Sequence, residues 1–175
     1  MRTRLLWYIL LSLVVTCLMF ALSFFYCTKW EIPNDFVELS KVNLTPIWDF
    51  YALNIRGNLF AGLISVGGFL MAGKTFILVT MKQNVFDDQS YRENFQKMVK
   101  LDPSLKVYGP LSELKNILYY SVLMTIISSV VQMTIGLIPH WSMAIISIFF
   151  AIFSIILVID SLNLIKRNLD FWIDS

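Results

Sequence analysis

A chain of 175 residues that is 57% hydrophobic and only 15% charged does not describe a soluble domain, in which about 25% of residues carry charge. Its mean hydropathy of +0.68 points instead to a protein whose surface faces lipid. A net charge of +2, with no Arg-rich or aromatic-interleaved stripe, excludes nucleic acid as an expected partner.

The first apolar segment, residues 5–27, follows Arg2 and Arg4 as a signal peptide would. Its apolar run exceeds the ~7–15 residues of a signal core, and no small-x-small cleavage site closes it, so a retained anchor is predicted. The loop 28–58 ends in "TPIWDFYALNIRGN". There Thr45 is placed to cap a helix with Pro46 at its first position, and Trp48, Phe50 and Tyr51 suit the headgroup level of an interfacial helix. Asn43, Leu44 and Thr45 form a glycosylation sequon, which has meaning only in a secretory-pathway host.

The second apolar segment, 59–81, contains "GFLMAGKT", a letter-for-letter match to the phosphate-loop pattern through Gly68, Gly73, Lys74 and Thr75. Its variable positions are bulky and apolar and it lies inside a predicted membrane helix, so no nucleotide is expected despite the match. Successive residues 100° apart place Gly57, Ala61, Ser65, Gly68 and Ala72 on one narrow face, a seam through which membrane helices approach closely. Lys74 lies on the opposite face, about 10 Å deep at 1.5 Å per residue.

Between this span and the next, residues 82–116 form a basic inner segment. In it "DDQSYRENFQKMVKL" spaces Tyr91, Phe95 and Val99 by four, as in an amphipathic helix. Such a helix packs on its own bundle or the membrane surface, or docks a cytosolic partner protein together with Phe171 and Trp172 of the tail 166–175. Pro110 fits the first turn of the third span.

That span, 117–138, carries Ser121, Thr125, Ser128, Ser129, Gln132 and Gly136 as one polar stripe, which in lipid must face protein or water. It reads as an interhelical hydrogen-bonded seam or as the wall of a solute path. The fourth span, 142–165, alternates Ala144, Ser147, Ala151, Ser154, Val158 and Ser161 by three and four, the spacing of a left-handed bundle seam. Asp160, within "IILVID", is a second intramembrane charge. A charge in a span must snorkel or find a partner, so Lys74 and Asp160 are expected to pair or to reach the headgroups separately.

Each of the four segments meets the ~20 residues needed to cross a bilayer. The fold class expected is an all-α polytopic membrane protein, a single domain over 1–175 with four transmembrane helices. Arg2, Arg4, the six basic residues of 82–116, Lys166 and Arg167 put ten of the 14 basic residues on one side, which predicts cytoplasmic N and C termini. Small or polar seams on three helices predict a homo-oligomer. His140 reads as a turn residue, and Cys17 and Cys27 lie about 15 Å apart on one helix, beyond disulfide reach of about 7 Å. No catalytic constellation, metal site or cofactor site is expected.

The layout of basic head, anchor, modest outer loop, amphipathic inner segment and closing helical hairpin, with "LISVGGFLMAGKTFILV" and "YRENFQKM" as its most distinctive stretches, resembles the small membrane proteins of bacterial anti-phage systems, the membrane subunit of the Kiwa system among them. The resemblance covers the whole chain in layout and transfers no functional residue. It implies an inner-membrane sensor of phage attachment or membrane disturbance that signals to a cytosolic partner. An ion-conducting pore or holin-like permeabiliser, lined by the third-span stripe, is the expectation from a different class; an accessory subunit of a transporter complex is a third.

Overall fold

The structure, a computed structural model, describes residues 2–28, 42–103 and 106–173, the last six by their backbone alone. Every element in them is helical: α1 (Arg2–Cys27), α2 (Thr45–Phe50), α3 (Arg56–Met81), α4 (Gln89–Leu101), α5 (Gly109–Met133) and α6 (Trp141–Ile173). Four stretches are long and apolar enough to cross a membrane, Thr3–Cys27, Thr45–Asn84, Gly109–Leu137 and Trp141–Arg167. The all-α class with four candidate spans is therefore as the composition predicts.

The second span departs from expectation. α2 is not a separate interfacial helix but runs through a wide π-type turn, Tyr51–Ile55, into α3. The resulting 40-residue stretch is about 60 Å long at 1.5 Å per residue, twice the ~30 Å hydrocarbon core. Nothing between Ile47 and Arg56 breaks a helix, and a π turn absorbs one extra residue without ending it. Pro46 occupies the first turn, but Thr45 is no cap. The N-cap position is Leu44, and Asn43 Oδ1 accepts the Thr45 N–H at 3.0 Å.

By its contacts the chain divides into two compact units, Met1–Val66 with Met124–Ile156 and Gly67–Leu123 with Leu157–Ser175. In the first, α1 buries a narrow polar edge: the Ser12 hydroxyl donates to Ile9 O at 2.8 Å and the Thr16 hydroxyl to Ser12 O at 2.7 Å. Farther along, Phe20 stacks on Trp141 with centroids 5.4 Å apart. Much of the remaining surface of α1, including Trp7, Leu10 and Leu18, is exposed, as a lipid-facing surface should be. Ala144, Ser147, Ala151 and Ser154 of α6 are all buried, so the predicted fourth-span seam carries the packing.

In the second unit, Leu70, Met81, Phe86, Leu114, Ile117, Leu118 and Leu164 form the core. The Ser121 hydroxyl lies between Ile117 O at 2.9 Å and Leu157 O at 2.8 Å, a polar tie from α5 to α6. Of the two readings of the amphipathic helix, the described contacts show Tyr91 and Phe95 packed on their own unit. Phe95 is 8% exposed, Tyr91 packs edge-on to Phe86 at 5.1 Å and donates to Val107 O at 3.1 Å. The apolar face of α4 covers its own unit because burying it there satisfies the amphipathic pattern locally. Val99 is half-buried, and the Phe171 and Trp172 side chains lie outside the described residues.

The connections to α4 are held by Asp87, which accepts from Tyr108 Oη at 2.8 Å and Arg92 Nη2 at 3.0 Å. The Tyr108 hydroxyl and then the Arg92 guanidinium hold its carboxyl below the usual range. A depressed carboxylate contributes to order above its unfolded pKa and loses that contribution as pH falls through the folded value. Amide exchange across 87–108 is therefore expected to quicken as pH drops through the acid carboxylate range, after correction for intrinsic rates. Asp87→Asn should show the faster exchange already at pH 7 and little further pH dependence.

Candidate functional site

The most constrained polar constellation lies in the first unit, where the π turn rotates Tyr51 inward. Tyr51 is 1% exposed, and its hydroxyl donates to Gln132 Oε1. Gln132, wholly buried on α5, donates through Nε2 to Ser147 O on α6 at 2.8 Å. Three segments are thus joined through two side chains. The side chain of Tyr51 is thus turned into the protein and away from its surface.

Gly136, in the 3-10 turn Ile135–Leu137 that follows α5, makes room for the phenol. A Cβ there would collide with Tyr51 Oη and lie 3.3 Å from Ser147 Oγ. The Ser147 hydroxyl is itself buried close to the Tyr51 phenol. Arg56, at the head of α3, points Nη1 at Gly136 O across 3.4 Å, a cation placed against carbonyls at a helix end, where the macrodipole favours it.

The predicted polar stripe of α5 is buried throughout, with Ser121, Thr125, Ser128, Ser129 and Gln132 all at 0% exposure. Ser128 Oγ donates to Phe150 O at 2.7 Å and Ser129 Oγ to Thr125 O at 2.9 Å. These groups bind backbone carbonyls of their own or the neighbouring helix, which is how a hydrogen-bonded seam behaves. Of the span windows, that of α5 is 44% buried and that of α1 11%, so α5 is the helix about which packing is organised.

The small-residue face of α3 is placed differently. Gly57, Ala61, Ser65, Gly68 and Ala72 are all exposed, and a Cβ added at Gly57 or Gly68 would meet no atom within 4 Å. The same helix turns Leu63, Gly67 and Leu70 inward. Among the described residues, then, this face is left uncovered. The "GFLMAGKT" octet is helical throughout, so its amides are committed to the helix and do not form a phosphate cradle.

Lys74 and Asp160 both fall in candidate spans and are half-buried, but no ion pair joins them among the described residues. Lys74 Nζ instead lies 5.0 Å from the Tyr119 ring centroid, a cation–π contact. His140 is exposed in its turn, with Nδ1 2.7 Å from Ser142 Oγ. Cys17 and Cys27 are both free thiols.

No protein family, curated protein or solved structure matches the chain. The reading of function therefore rests on this geometry and on the layout of the sequence. Gln132, Gly136 and Ser147 were legible as seam members from their spacing. Tyr51 was not, because its partner is 81 residues away and its own neighbourhood, aromatic and close to charged residues, has the composition of an interface.

Proposed function

We propose that the chain is an oligomeric membrane subunit of a bacterial anti-phage defence complex, with both termini in the cytoplasm, that responds to phage attachment or membrane disturbance and signals to a cytosolic protein. The observation that carries the self-association is the exposed small-residue face of α3. Small residues left uncovered by the described residues of their own chain offer a backbone surface suited to a second copy, because close approach supplies the van der Waals contact that lipid cannot. The role in defence and the inner-membrane location rest on the resemblance in layout, and the orientation rests on the distribution of basic residues.

With Cys17 and Cys27 changed to Ser, a Ser65→Cys variant in native membranes is expected to form disulfide-linked dimers on mild oxidation. Val66→Cys, on a different face, should link at least tenfold less, and adding Gly68→Leu to the first variant should abolish linkage. Equal linkage at the two positions would remove the α3 face from the proposal. Native mass spectrometry of the tagged complex then tests the rest: a soluble protein bound to the oligomer supports the signalling role. Conductance in planar bilayers that Gln132→Leu abolishes would favour the pore. Against a pore stands the burial of every named stripe hydroxyl and of Gln132 within the chain.

A further inference from the structure

Beside the Tyr51 cluster the first unit contains a cavity of about 420 Å³, lined by α1, α2 with its π turn, and the start of α6. One face of α1 forms its long wall, from Thr16 through Phe20 and Ser23 to Cys27, and Ile145 and Ile148 of α6 lie opposite in the chain's fold. Three hydroxyls on these walls already donate within the protein, Thr16 Oγ1 to Ser12 O, Ser23 Oγ to Met19 O and Tyr51 Oη to Gln132 Oε1, and the other polar side chains of the lining, Tyr26 and Cys27, lie together at the C-terminal end of α1. An occupant with its own hydrogen-bonding needs would leave them unmet.

No Lys or Arg lines the cavity, so the carboxylate of a free fatty acid has no counter-charge among the described walls. Hydrocarbon is what the site can hold. From Thr16 to Cys27 the rise is about 16 Å, half of the ~30 Å hydrocarbon core and thus the depth of one leaflet. Over that length the cavity has a mean section of roughly 25 Å², suited to one alkyl chain whose carbons keep the usual contact distance of about 4 Å. The wall ends at Cys27, the last residue of the first candidate span, which is where a headgroup belongs.

We propose that this cavity is a site for one acyl chain of a membrane phospholipid, with the headgroup left outside at the end of α1. The site stands on the cavity alone and holds whether or not the chain self-associates or signals.

The test uses the full chain in nanodiscs of phosphatidylcholine doped with a phosphatidylcholine that carries a diazirine near the end of one acyl chain. After photolysis, mass spectrometry is expected to find Phe20 and Ile148 labelled at least fivefold over Leu18, which is exposed but outside the cavity. Ile148→Trp should cut the Phe20 label at least fivefold, and Ile146→Trp, off the cavity wall, should leave it. Should Ile148→Trp not purify as folded protein, the Phe20 to Leu18 ratio in the unaltered chain decides alone. A ratio near one means bulk lipid only and overturns the site. Loss of the label to an equimolar free fatty acid overturns the assignment to phospholipid.

Discussion

Gly136→Ala is expected to destabilise the protein by about 1–3 kcal/mol, the usual range for forcing an added group into a filled interior. The added methyl meets Tyr51 Oη, Tyr51 Cζ at 3.3 Å and Ser147 Oγ at 3.3 Å, and Tyr51 and Ser147 are both buried. Tyr51 is held by Gln132, and Gln132 by Ser147 O. Relief therefore requires the phenol to leave its acceptor, the turn after α5 to shift, or both. Unfolding in a mild detergent or in nanodiscs, followed by far-UV circular dichroism, measures the loss.

The colliding atom is identified by a second change. Tyr51→Phe removes the hydroxyl and one buried hydrogen bond, which in membrane proteins contributes about 0.6 kcal/mol on average. In the Gly136→Ala background the same change should restore part of the stability, because the closest contact disappears while the 3.3 Å contact to Cζ remains. A double variant as unstable as the sum of the two singles would mean that Tyr51 and Gly136 do not touch.

Ala151→Leu is the second large effect expected, at about 1–3 kcal/mol from overpacking with further loss from broken hydrogen bonds. Ala151 is 1% exposed on the face of α6 that meets α5. Within the turn that precedes it the two helices are near enough for Ser128 Oγ to reach Phe150 O at 2.7 Å and for Gln132 Nε2 to reach Ser147 O at 2.8 Å. Three added carbons at that seam must push α5 and α6 apart and lengthen both bonds. Ile155→Leu, at an exposed position of the same helix, keeps the volume and faces lipid, so it should change stability by less than about 0.5 kcal/mol. If Ala151→Leu unfolds at the same point as Ile155→Leu, the close approach of α5 and α6 is wrong.

Much of this fold was legible before any coordinates. Four apolar runs of span length dictate four helices, since backbone polar groups have no water to turn to in lipid. The spacing of Ser121, Thr125, Ser128, Ser129 and Gln132, and of Ala144, Ser147, Ala151 and Ser154, marked the buried faces of α5 and α6, because a helix repeats every 3.6 residues and polar groups cannot face hydrocarbon. The amphipathic pattern of α4 likewise announced that Phe95 would be covered, though not by what.

Pairing across the chain was beyond the sequence. Charge alone suggested Lys74 with Asp160, whereas the lysine lies over Tyr119; which group a lysine reaches depends on the rotation of each helix about its axis, and residue spacing does not give that. Tyr51 has the sequence neighbourhood of a surface aromatic, yet it is buried in its unit, where Gln132, 81 residues away, accepts its hydroxyl proton. The small-residue face of α3 shows the same division from the other side. Its existence follows from spacing, since glycine, alanine and serine recur on one helical face, but whether that face was used within the chain depended on which side of α3 the larger Leu63 and Leu70 took, and packing settled that by turning them inward.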